Sequence, residues 1–329
     1  MNFKNFVGND NVKTGLNNLF SAGRLPHAII LQGEDGLGKS ALSRLIAKAI
    51  LCENSDNDIK PCCNCRACRQ FEAGSHPDLR IVEGSNKGGA FAVKDIAFLT
   101  TDCYKAPEES DSNVYILESG KIFPEIGQNK LLKVIEEPPA GCYFIINIPN
   151  AESLLTTIRS RSAIISLHPV SKYEAERFCM DKTACTGEEA ENAYEIYQGN
   201  IGNMLDFIEG KTKDNKAVII AAEVAALAAA SDANALLKTT APLIDNRKLF
   251  QEVSKLLEAI FRDAIVLRSG GKSMIGMARD VSEELASKRT MTKLIHLPDL
   301  CVKYRTMCEG NVNMKLLVTS FCAELRNAI

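Results

Sequence analysis

The sequence predicts an α/β fold, in which a parallel sheet is covered by helices, followed by a region that is entirely helical. Residues 28–32 form a short apolar run that ends in a glycine-rich turn, and a helix-patterned stretch then runs from Ser40 to Leu51. Two more apolar runs, 114–117 and 143–146, alternate with helical segments such as 129–136. Strands that alternate with helices in this way indicate a parallel sheet.

Changes in hydrophobic pattern and composition along the chain predict three domains. Residues 1–168 carry the α/β pattern, and short amphipathic helices beginning at Ser171 predict a small helical lid at 169–209. The polar stretch 210–215 breaks the periodicity and is the best candidate for a linker. The region 210–329 is rich in Ala and Leu with helical periodicity and one Gly-Gly break, which predicts a helix bundle.

Composition limits the classes of function. The 329 residues are 46% hydrophobic and 24% charged, as in an ordinary globular protein. The net charge of −2 argues against a protein that grips nucleic acid across its whole surface, so any contact with DNA is expected to be local or shared. No apolar run of about 18 residues and no signal-like N-terminus occurs, so we expect a cytoplasmic protein without a membrane span.

Residues 33–40 match the phosphate-binding pattern G-x-x-x-x-G-K-[ST] and lie between a predicted strand and a predicted helix. Glycines lack Cβ atoms, so such a loop can turn its backbone N–H groups around phosphate oxygens, and the helix N-terminus adds a positive dipole end. Lys39 is expected to reach the β- and γ-phosphates and Ser40 to bind Mg²⁺. A glycine-rich turn with an accidental Lys-Ser pair is the alternative. The predicted nucleotide-binding residues of the loop are Gly33, Gly36, Gly38, Lys39 and Ser40.

Five of the twelve cysteines lie within residues 52–68. Cys52, Cys62, Cys65 and Cys68 offer four thiolates at spacings typical of a tetrahedral Cys₄ zinc site. We expect a structural Zn²⁺, because four protein ligands leave no open position for water. Cys63 is expected to be left over. A disulfide or loose thiols are the alternative, which a reducing compartment disfavours.

Two further segments carry a resemblance to a known family. Residues 129–139 read Asn-Lys-Leu-Leu-Lys-Val-Ile-Glu-Glu-Pro-Pro, and residues 157–162 read Thr-Ile-Arg-Ser-Arg-Ser. Together with the phosphate loop and the cysteines that follow its helix, they resemble the N-A-L-L-K-x-L-E-E-P-P and T-I-R-S-R-C signatures of bacterial clamp-loader subunits of DNA polymerase III. The resemblance runs from about Phe6 to Leu205.

This resemblance implies an AAA+ nucleotide-binding domain at 1–168 with a zinc module at 52–68, the helical lid at 169–209, and a C-terminal collar domain at 210–329. The implied cofactors are structural Zn²⁺ and ATP or ADP with Mg²⁺. The implied partners are tau/gamma and delta type subunits in a hetero-oligomeric ring, together with the sliding clamp and primer-template DNA through the assembly. The family opens a sliding clamp and places it on primed DNA.

The resemblance also implies an incomplete catalytic set. Glu118 falls where the family has the acid that supports the metal, and Ser119 falls where it has the catalytic acid. A hydroxyl cannot polarise water as a carboxylate does, so hydrolysis should be weak. Gly202 falls where active subunits carry a lid arginine, and the polar sensor position falls on Ile148 or Pro149.

Arg161 is the one catalytic element that the resemblance retains. It matches the arginine that this family projects into a neighbour's nucleotide site, and Ser162 replaces the family cysteine beside it. An arginine without a complete catalytic set is typical of the delta-prime type of subunit. The alternative is that Arg159 and Arg161 are solvated surface charges. Glu136 and Glu137 are expected to be capping or solvated residues without a chemical role.

Two other functions remain open at this stage. One is a catalytically active ATPase subunit of the tau/gamma type, which shares the phosphate loop, the zinc segment and the arginine triplet. The other is a nucleic-acid-binding module built on the zinc site, for which Lys60, Arg66 and Arg69 supply few basic residues.

Overall fold

The computed structural model describes residues 1–56, 60–84, 91–118, 123–209, 216–230, 233–271, 278–310 and 312–328. The chain divides into two compact units. The first comprises residues 1–174 with 200–202, and the second comprises residues 175–199 with 203–329. The division into three domains at 168 and 209 stays a prediction.

The first unit contains a sheet and the helices that cover it. Its strands are β1 (Ala28–Gln32), β2 (Leu79–Glu83), β3 (Asn113–Glu118), β4 (Cys142–Ile148) and β5 (Ala163–Ser166). Its helices are α1 (Asp10–Ser21), α2 (Lys39–Leu51), α3 (Arg66–Glu72), α4 (Val93–Asp102), α5 (Glu125–Glu136) and α6 (Thr156–Arg159).

The five described strands form one parallel sheet in the order β2-β3-β4-β1-β5. The predicted parallel sheet is therefore confirmed, with β1 at the predicted residues and β3 and β4 slightly longer than expected. Sequence reasoning missed β2 and β5. Both are edge strands whose residues are only partly buried, so neither shows the apolar run that marked the three central strands.

Burial on both faces explains the apolar runs of the central strands. Ile30 and Ile146 are fully buried on one face, which α4, α5 and α6 cover. Ile116 and Ile145 are buried on the opposite face, where they pack with Leu42 and other residues of α2. Successive side chains of a strand point to opposite faces, so a strand covered on both sides is apolar at nearly every position.

The second unit is helical, as predicted. Its helices are α7 (Lys172–Thr183, which begins within the first unit), α8 (Gly187–Tyr197), α9 (Ile201–Ile208, likewise), α10 (Lys216–Ala230), α11 (Ala233–Thr240), α12 (Arg247–Arg268), α13 (Arg279–Lys288), α14 (Met291–Leu294), α15 (Leu297–Glu309) and α16 (Met314–Ala328).

Helix α12 is the centre of this helical unit and packs against α10, α13 and α15. Its N-terminus is capped by the side chain of Asn246, which accepts a hydrogen bond from the backbone N–H of Leu249. The helix ends just before Gly270, whose φ of 87° confirms the predicted Gly-Gly break. The predicted linker at 210–215 lies outside the described residues. Among the described helices, none is long and apolar enough to cross a bilayer.

Candidate functional site

The phosphate loop joins β1 to α2 and depends on its glycines. Gly36 and Gly38 both have a φ of 90°, a conformation that L side chains rarely adopt. Gly38 is the N-cap of α2, so the free backbone N–H groups of the first helical turn face the cavity beside the loop. The local geometry is therefore that of an anion-binding loop.

Lys39 is buried, with 7% of its surface exposed, although it carries a charge. Its Nζ donates hydrogen bonds to the carbonyl oxygens of Gly33 at 2.5 Å and Glu34 at 2.8 Å, and lies 3.6 Å from the carboxylate of Asp35. The loop's own acceptors thus compensate the buried ammonium. A phosphate would compete for the same donors.

A cavity of about 620 Å³ lies beside this loop, within the range of small-molecule sites. The ends of three neighbouring strands, Glu83, Glu118 and Asn147, form one wall, and the register pairs Glu118 with both of the others. Its described lining is Asp35, Gly36, Gly38, Lys39, Ser40, Ala41, Glu83, Gly84, Glu118, Asn147 and Gly202.

Two acceptor atoms in this wall have no hydrogen-bond donor among the described residues, namely Oε1 of Glu118 and Oδ1 of Asn147. The Asn147 amide nitrogen donates to the hydroxyl of Ser43 at 3.0 Å, which fixes the amide. Arg44 lies 3.7 Å from Glu118 and offsets its charge. Buried oxygens without donors suit a hydrated Mg²⁺, because such a cation binds oxygen atoms and water.

The four predicted zinc ligands converge. The Sγ atoms of Cys52, Cys62, Cys65 and Cys68 all lie within 4.8 Å of one another. Zinc–sulfur bonds of about 2.3 Å in a tetrahedron place the sulfurs about 3.8 Å apart, and the Cys52 and Cys65 Sγ atoms are 3.9 Å apart. The cluster therefore suggests a structural zinc site.

Hydrogen bonds and burial shift the pKa values of three of these thiols in different directions. Backbone N–H groups donate to sulfur at 3.4 Å in three places: Cys62 to Cys52, Cys65 to Cys62, and Cys68 to Cys65. Burial alone opposes ionisation of Cys62, but donors including Asn64 and Cys65 outweigh it and lower the pKa of its thiol to about 6. Burial raises the pKa of Cys52 and Cys68, whose deprotonation a metal would have to drive.

Cys63 is excluded from this cluster, as predicted. Its φ is 63° and its side chain is exposed, so the thiol turns away from the other four. Its Sγ instead accepts a hydrogen bond from Nζ of Lys48 at 3.6 Å. The two-residue spacing of Cys62, Cys65 and Cys68 brings their sulfurs together and leaves Cys63 outside the cluster.

Arg161 lies in the turn after α6 and is exposed. Its Nη1 donates to the carbonyl oxygen of Thr157 and to the hydroxyl of Ser160, both at 3.3 Å. Its Nη2 lies 3.3 Å from the carboxylate of Glu136. Arg159 is more buried, and its Nε has no acceptor among the described residues.

Comparison with known proteins identifies the family. A family model described as DNA polymerase III, delta subunit, matches residues 8–171, about half of the chain. The delta-prime subunit of DNA polymerase III from Escherichia coli K12 is 24% identical over 312 residues, which covers 94% of this chain and 91% of that protein. The chain belongs to the delta-prime family of clamp-loader subunits. The predicted parallel sheet, four-cysteine cluster and following helical region are all present in the structure.

Other members of the clamp-loader group match a shorter segment. The gamma subunit of Buchnera aphidicola from Schizaphis graminum is 31% identical over 176 residues, 54% of this chain and 47% of that protein. The tau subunit of Salmonella typhimurium is 33% identical over 159 residues, 48% of this chain and 24% of that protein. The chain thus spans about half the length of the gamma subunits that it matches, and less of tau.

A solved structure of a gamma-subunit-related protein from Thermotoga maritima has a TM-score of 0.48 and 13% identity, covering 96% of this chain and 98% of that one. The clamp-loader delta protein of Bacillus subtilis has a TM-score of 0.36 and 12% identity, covering 97% and 99%.

The structure brings together most of the nucleotide-binding residues that the sequence predicts. Glu118 lines the same cavity as Gly36, Gly38, Lys39 and Ser40. Gly33 lies at the start of the loop, where its carbonyl oxygen accepts from Lys39. Ser119 lies outside the described residues. That these groups bind a nucleotide stays a prediction.

The position of the polar sensor, which the resemblance places on Ile148 or Pro149, stays a prediction. Asn147 is the residue that lines the cavity, whereas Ile148 is buried in the core on the opposite face. The alternation of a strand explains the difference, because adjacent side chains point to opposite faces. The sequence does carry a signal for Asn147, because it is a single polar residue within the apolar strand Cys142–Ile148.

Proposed function

We propose that this chain binds an adenine nucleotide with Mg²⁺, hydrolyses it poorly, and supplies Arg161 to the nucleotide site of an adjoining motor subunit. In this function it helps to open a sliding clamp and load it on primed DNA, as one subunit of a ring that contains tau/gamma and delta type subunits. The observation that carries the proposal is the position of Arg161, exposed after α6 and not among the described residues that line the cavity.

The phosphate loop supports binding. Its glycines turn backbone N–H groups toward the cavity. The charged Nζ of Lys39 lies at the loop, where it donates hydrogen bonds to neutral carbonyl oxygens. A triphosphate offers that ammonium charged acceptors, which form stronger hydrogen bonds than neutral carbonyl oxygens. Binding would therefore draw Lys39 from the loop carbonyls toward the phosphates.

Mg²⁺, when bound, neutralises charge on the phosphates and orients them. Ser40 lines the cavity at the start of α2, where its hydroxyl is available as a ligand. Glu118 and Asn147 supply the oxygens without donors that would accept hydrogen bonds from metal-bound water. These residues would hold and orient the Mg²⁺ and the phosphates. The family pattern places none of them as the carboxylate that activates the attacking water.

Weak hydrolysis follows from two residues of the sequence. Ser119 stands where the family has its catalytic acid, and a serine hydroxyl does not accept a proton from water at neutral pH. Gly202 stands where active subunits carry an arginine, so this position supplies no cation to stabilise charge on the transferring phosphoryl group. Binding without turnover suits a subunit that serves its neighbour.

Arg161 would act on the neighbour by charge. As the bond to the γ-phosphate breaks, negative charge spreads over the three outer oxygens, and a guanidinium placed against them stabilises it. An arginine finger is worth roughly 10³ to 10⁵ in rate where it is the main electrophile. Arg161 is exposed enough to reach outward.

The second candidate is a self-sufficient ATPase of the tau/gamma type. The similarity of residues in the AAA+ region to gamma and tau subunits, at 31% and 33% identity, favours it. The two candidates differ in turnover by the isolated chain. We expect Mg²⁺-dependent ATP binding with phosphate release well below about 1 s⁻¹, and a turnover in the ordinary enzyme range would establish the ATPase reading instead.

The trans role is tested by reconstituting the clamp loader with Arg161→Ala. We expect the total ATPase of the assembly to fall partially and clamp loading to fall further, because only the site served by this chain loses its electrophile. Assembly and nucleotide affinity of this chain should hardly change. Arg24→Ala, which removes an exposed arginine elsewhere in the first unit, is the matched control. Wild-type rates with Arg161→Ala would show that Arg161 is only a surface charge.

A further inference from the structure

The guanidinium of Arg161 is held by contacts from three residues. Nη1 donates to the carbonyl oxygen of Thr157 and the hydroxyl of Ser160, and Nη2 forms an ion pair with Glu136 at 3.3 Å. A guanidinium has five N–H donors in a planar fork, so these contacts orient the group without using all of its donors. Thr157 and Ser160 are local to the turn, whereas Glu136 comes from another helix.

Glu136 occupies an electrostatically unfavourable position. It is the last residue of α5, where the carbonyl ends of the helix dipole repel a carboxylate. Pro138 and Pro139 follow and prevent the helix from continuing, which fixes where the acid lies. A nearby cation lessens this unfavourable interaction, and Arg161 is the basic partner that the structure shows for Glu136.

The same helix also fixes the approach to the arginine turn. Gln128, two turns before Glu136 on α5, is 3% exposed. Its Oε1 accepts from the backbone N–H of Leu155 at 2.7 Å, and its Nε2 donates to the carbonyl oxygens of Phe123 and Ser153. Its amide thus fastens α5 to the residue just before α6. The segment 155–161 is therefore held at Leu155 by the buried amide of Gln128 and at Arg161 by the carboxylate of Glu136.

Stability alone does not explain the ion pair. Arg161 and Glu136 keep 43% and 42% of their side-chain surfaces exposed, and exposed pairs contribute only about 0.2–1 kcal/mol. The pair can instead orient the arginine. A charged side chain that must contact a transition state stabilises it less when the side chain samples many rotamers. A weak pair suffices to favour one orientation of a long side chain.

We propose that Glu136 is a positioning residue for Arg161, and that α5 holds the arginine ready for the nucleotide of the adjoining subunit. This inference rests on the proposed trans role of Arg161. It assigns a function to the first glutamate of the Glu-Glu-Pro-Pro segment, for which the sequence alone suggested none. Glu137 is also exposed and adjoins it, so the two neighbours offer a direct comparison.

The test uses the reconstituted clamp loader with its motor subunits, Mg²⁺-ATP, clamp and primed DNA. We expect Glu136→Gln to lower kcat for ATP about 1.4- to fivefold at the site served by this chain, the range that corresponds to a pair of this strength. KM should hardly change, because the arginine acts in the transition state. Glu137→Gln should behave as wild type, and thermal unfolding of the isolated Glu136→Gln chain should match wild type.

A double mutant separates this inference from the proposed function. In an Arg161→Ala background, Glu136→Gln should have no further effect, because its partner is gone. If Arg161→Ala slows the assembly but Glu136→Gln alone leaves kcat unchanged, the positioning role is wrong and the trans role stands. A lower KM at unchanged kcat would instead make Glu136 a competing counterion and overturn the inference. If Arg161→Ala has the wild-type rate, the trans role fails first.

Discussion

Gly202 shows how one residue can be fixed by the backbone of another segment. Its N–H donates to the carbonyl oxygen of Gly36 at 2.9 Å. A Cβ atom at this position would lie 2.8 Å from both the Cα and the carbonyl oxygen of Gly36. The neighbouring Asn200 donates to the carbonyl oxygen of Asp35 at 2.8 Å. Gly202, which falls where the resemblance places a lid arginine, therefore packs directly on the phosphate loop.

We expect Gly202→Ala to destabilise the protein by about 1–3 kcal/mol, as for other overpacked sites, because backbone atoms cannot yield as a flexible side chain does. Gly187→Ala is the matched control. Gly187 likewise lies in the first turn of a helix, but no atom outside its own helix backbone and chain neighbours lies within 4 Å of a Cβ built there, so its replacement should be neutral or slightly stabilising. Urea unfolding of the two variants measures the difference. Equal stability would mean that the loop contact is not tight.

At the scale of elements, the candidate zinc site lies in the short connection between α2 and α3, where four cysteine sulfurs converge. Cys52 follows the end of α2, and Cys65 is the N-cap of α3 and accepts from the N–H of Cys68. With seven residues, α3 is too short to be stable by itself. A metal that ties its first turn to the end of α2 would supply the missing stability.

We expect about one equivalent of zinc in protein prepared without chelator. Replacing Cys65 and Cys68 together by Ser should remove it and lower the melting temperature, because two ligands are lost from a site whose metal contributes to folding directly. Cys63→Ser should keep the zinc, since that thiol lies outside the cluster. Elemental analysis and thermal unfolding measure both effects. Less than about a third of an equivalent in the wild type, or full retention in the double variant, would contradict the assignment.

At the scale of the whole molecule, charge limits what the chain does alone. The net charge is −2, with 39 basic and 41 acidic residues. Several of the basic residues are already paired with acids, such as Arg66 with Glu109 and Arg305 with Glu258. Counterion release depends on the Lys and Arg residues that contact phosphates, and a chain without net positive charge is expected to offer only a local contact of this kind. Contact with primer-template DNA is therefore expected to depend on the assembly.

We expect the isolated chain to bind primed DNA more weakly than about 10⁻⁴ M at physiological salt, the weak end of non-specific binding. Its affinity should also change little with salt, because few phosphates are neutralised. Fluorescence anisotropy at two salt concentrations measures both quantities, with the reconstituted assembly as the positive control. Micromolar binding with a steep salt dependence would show a DNA surface of its own.

The sequence by itself determined the parts of the site that are contiguous. Residues 33–40 set the phosphate loop because their glycines and lysine act within one turn, and the spacing of Cys62, Cys65 and Cys68 selected the candidate zinc ligands over Cys63. The apolar runs of β1, β3 and β4 were readable because burial on both faces leaves few polar positions. Each of these signals is local, so chain order alone carries it.

Only the tertiary structure decided which distant residues meet. The register of β3 and β4 places Asn147 beside Glu118, a pairing that a one-residue shift would turn to the opposite face. The end of α5 brings Glu136 to Arg161 across 25 residues of chain. The contact of Gly202 with Gly36 depends on backbone atoms rather than on side-chain chemistry. The sequence gives no sign of such contacts, because packing rather than local conformation sets them.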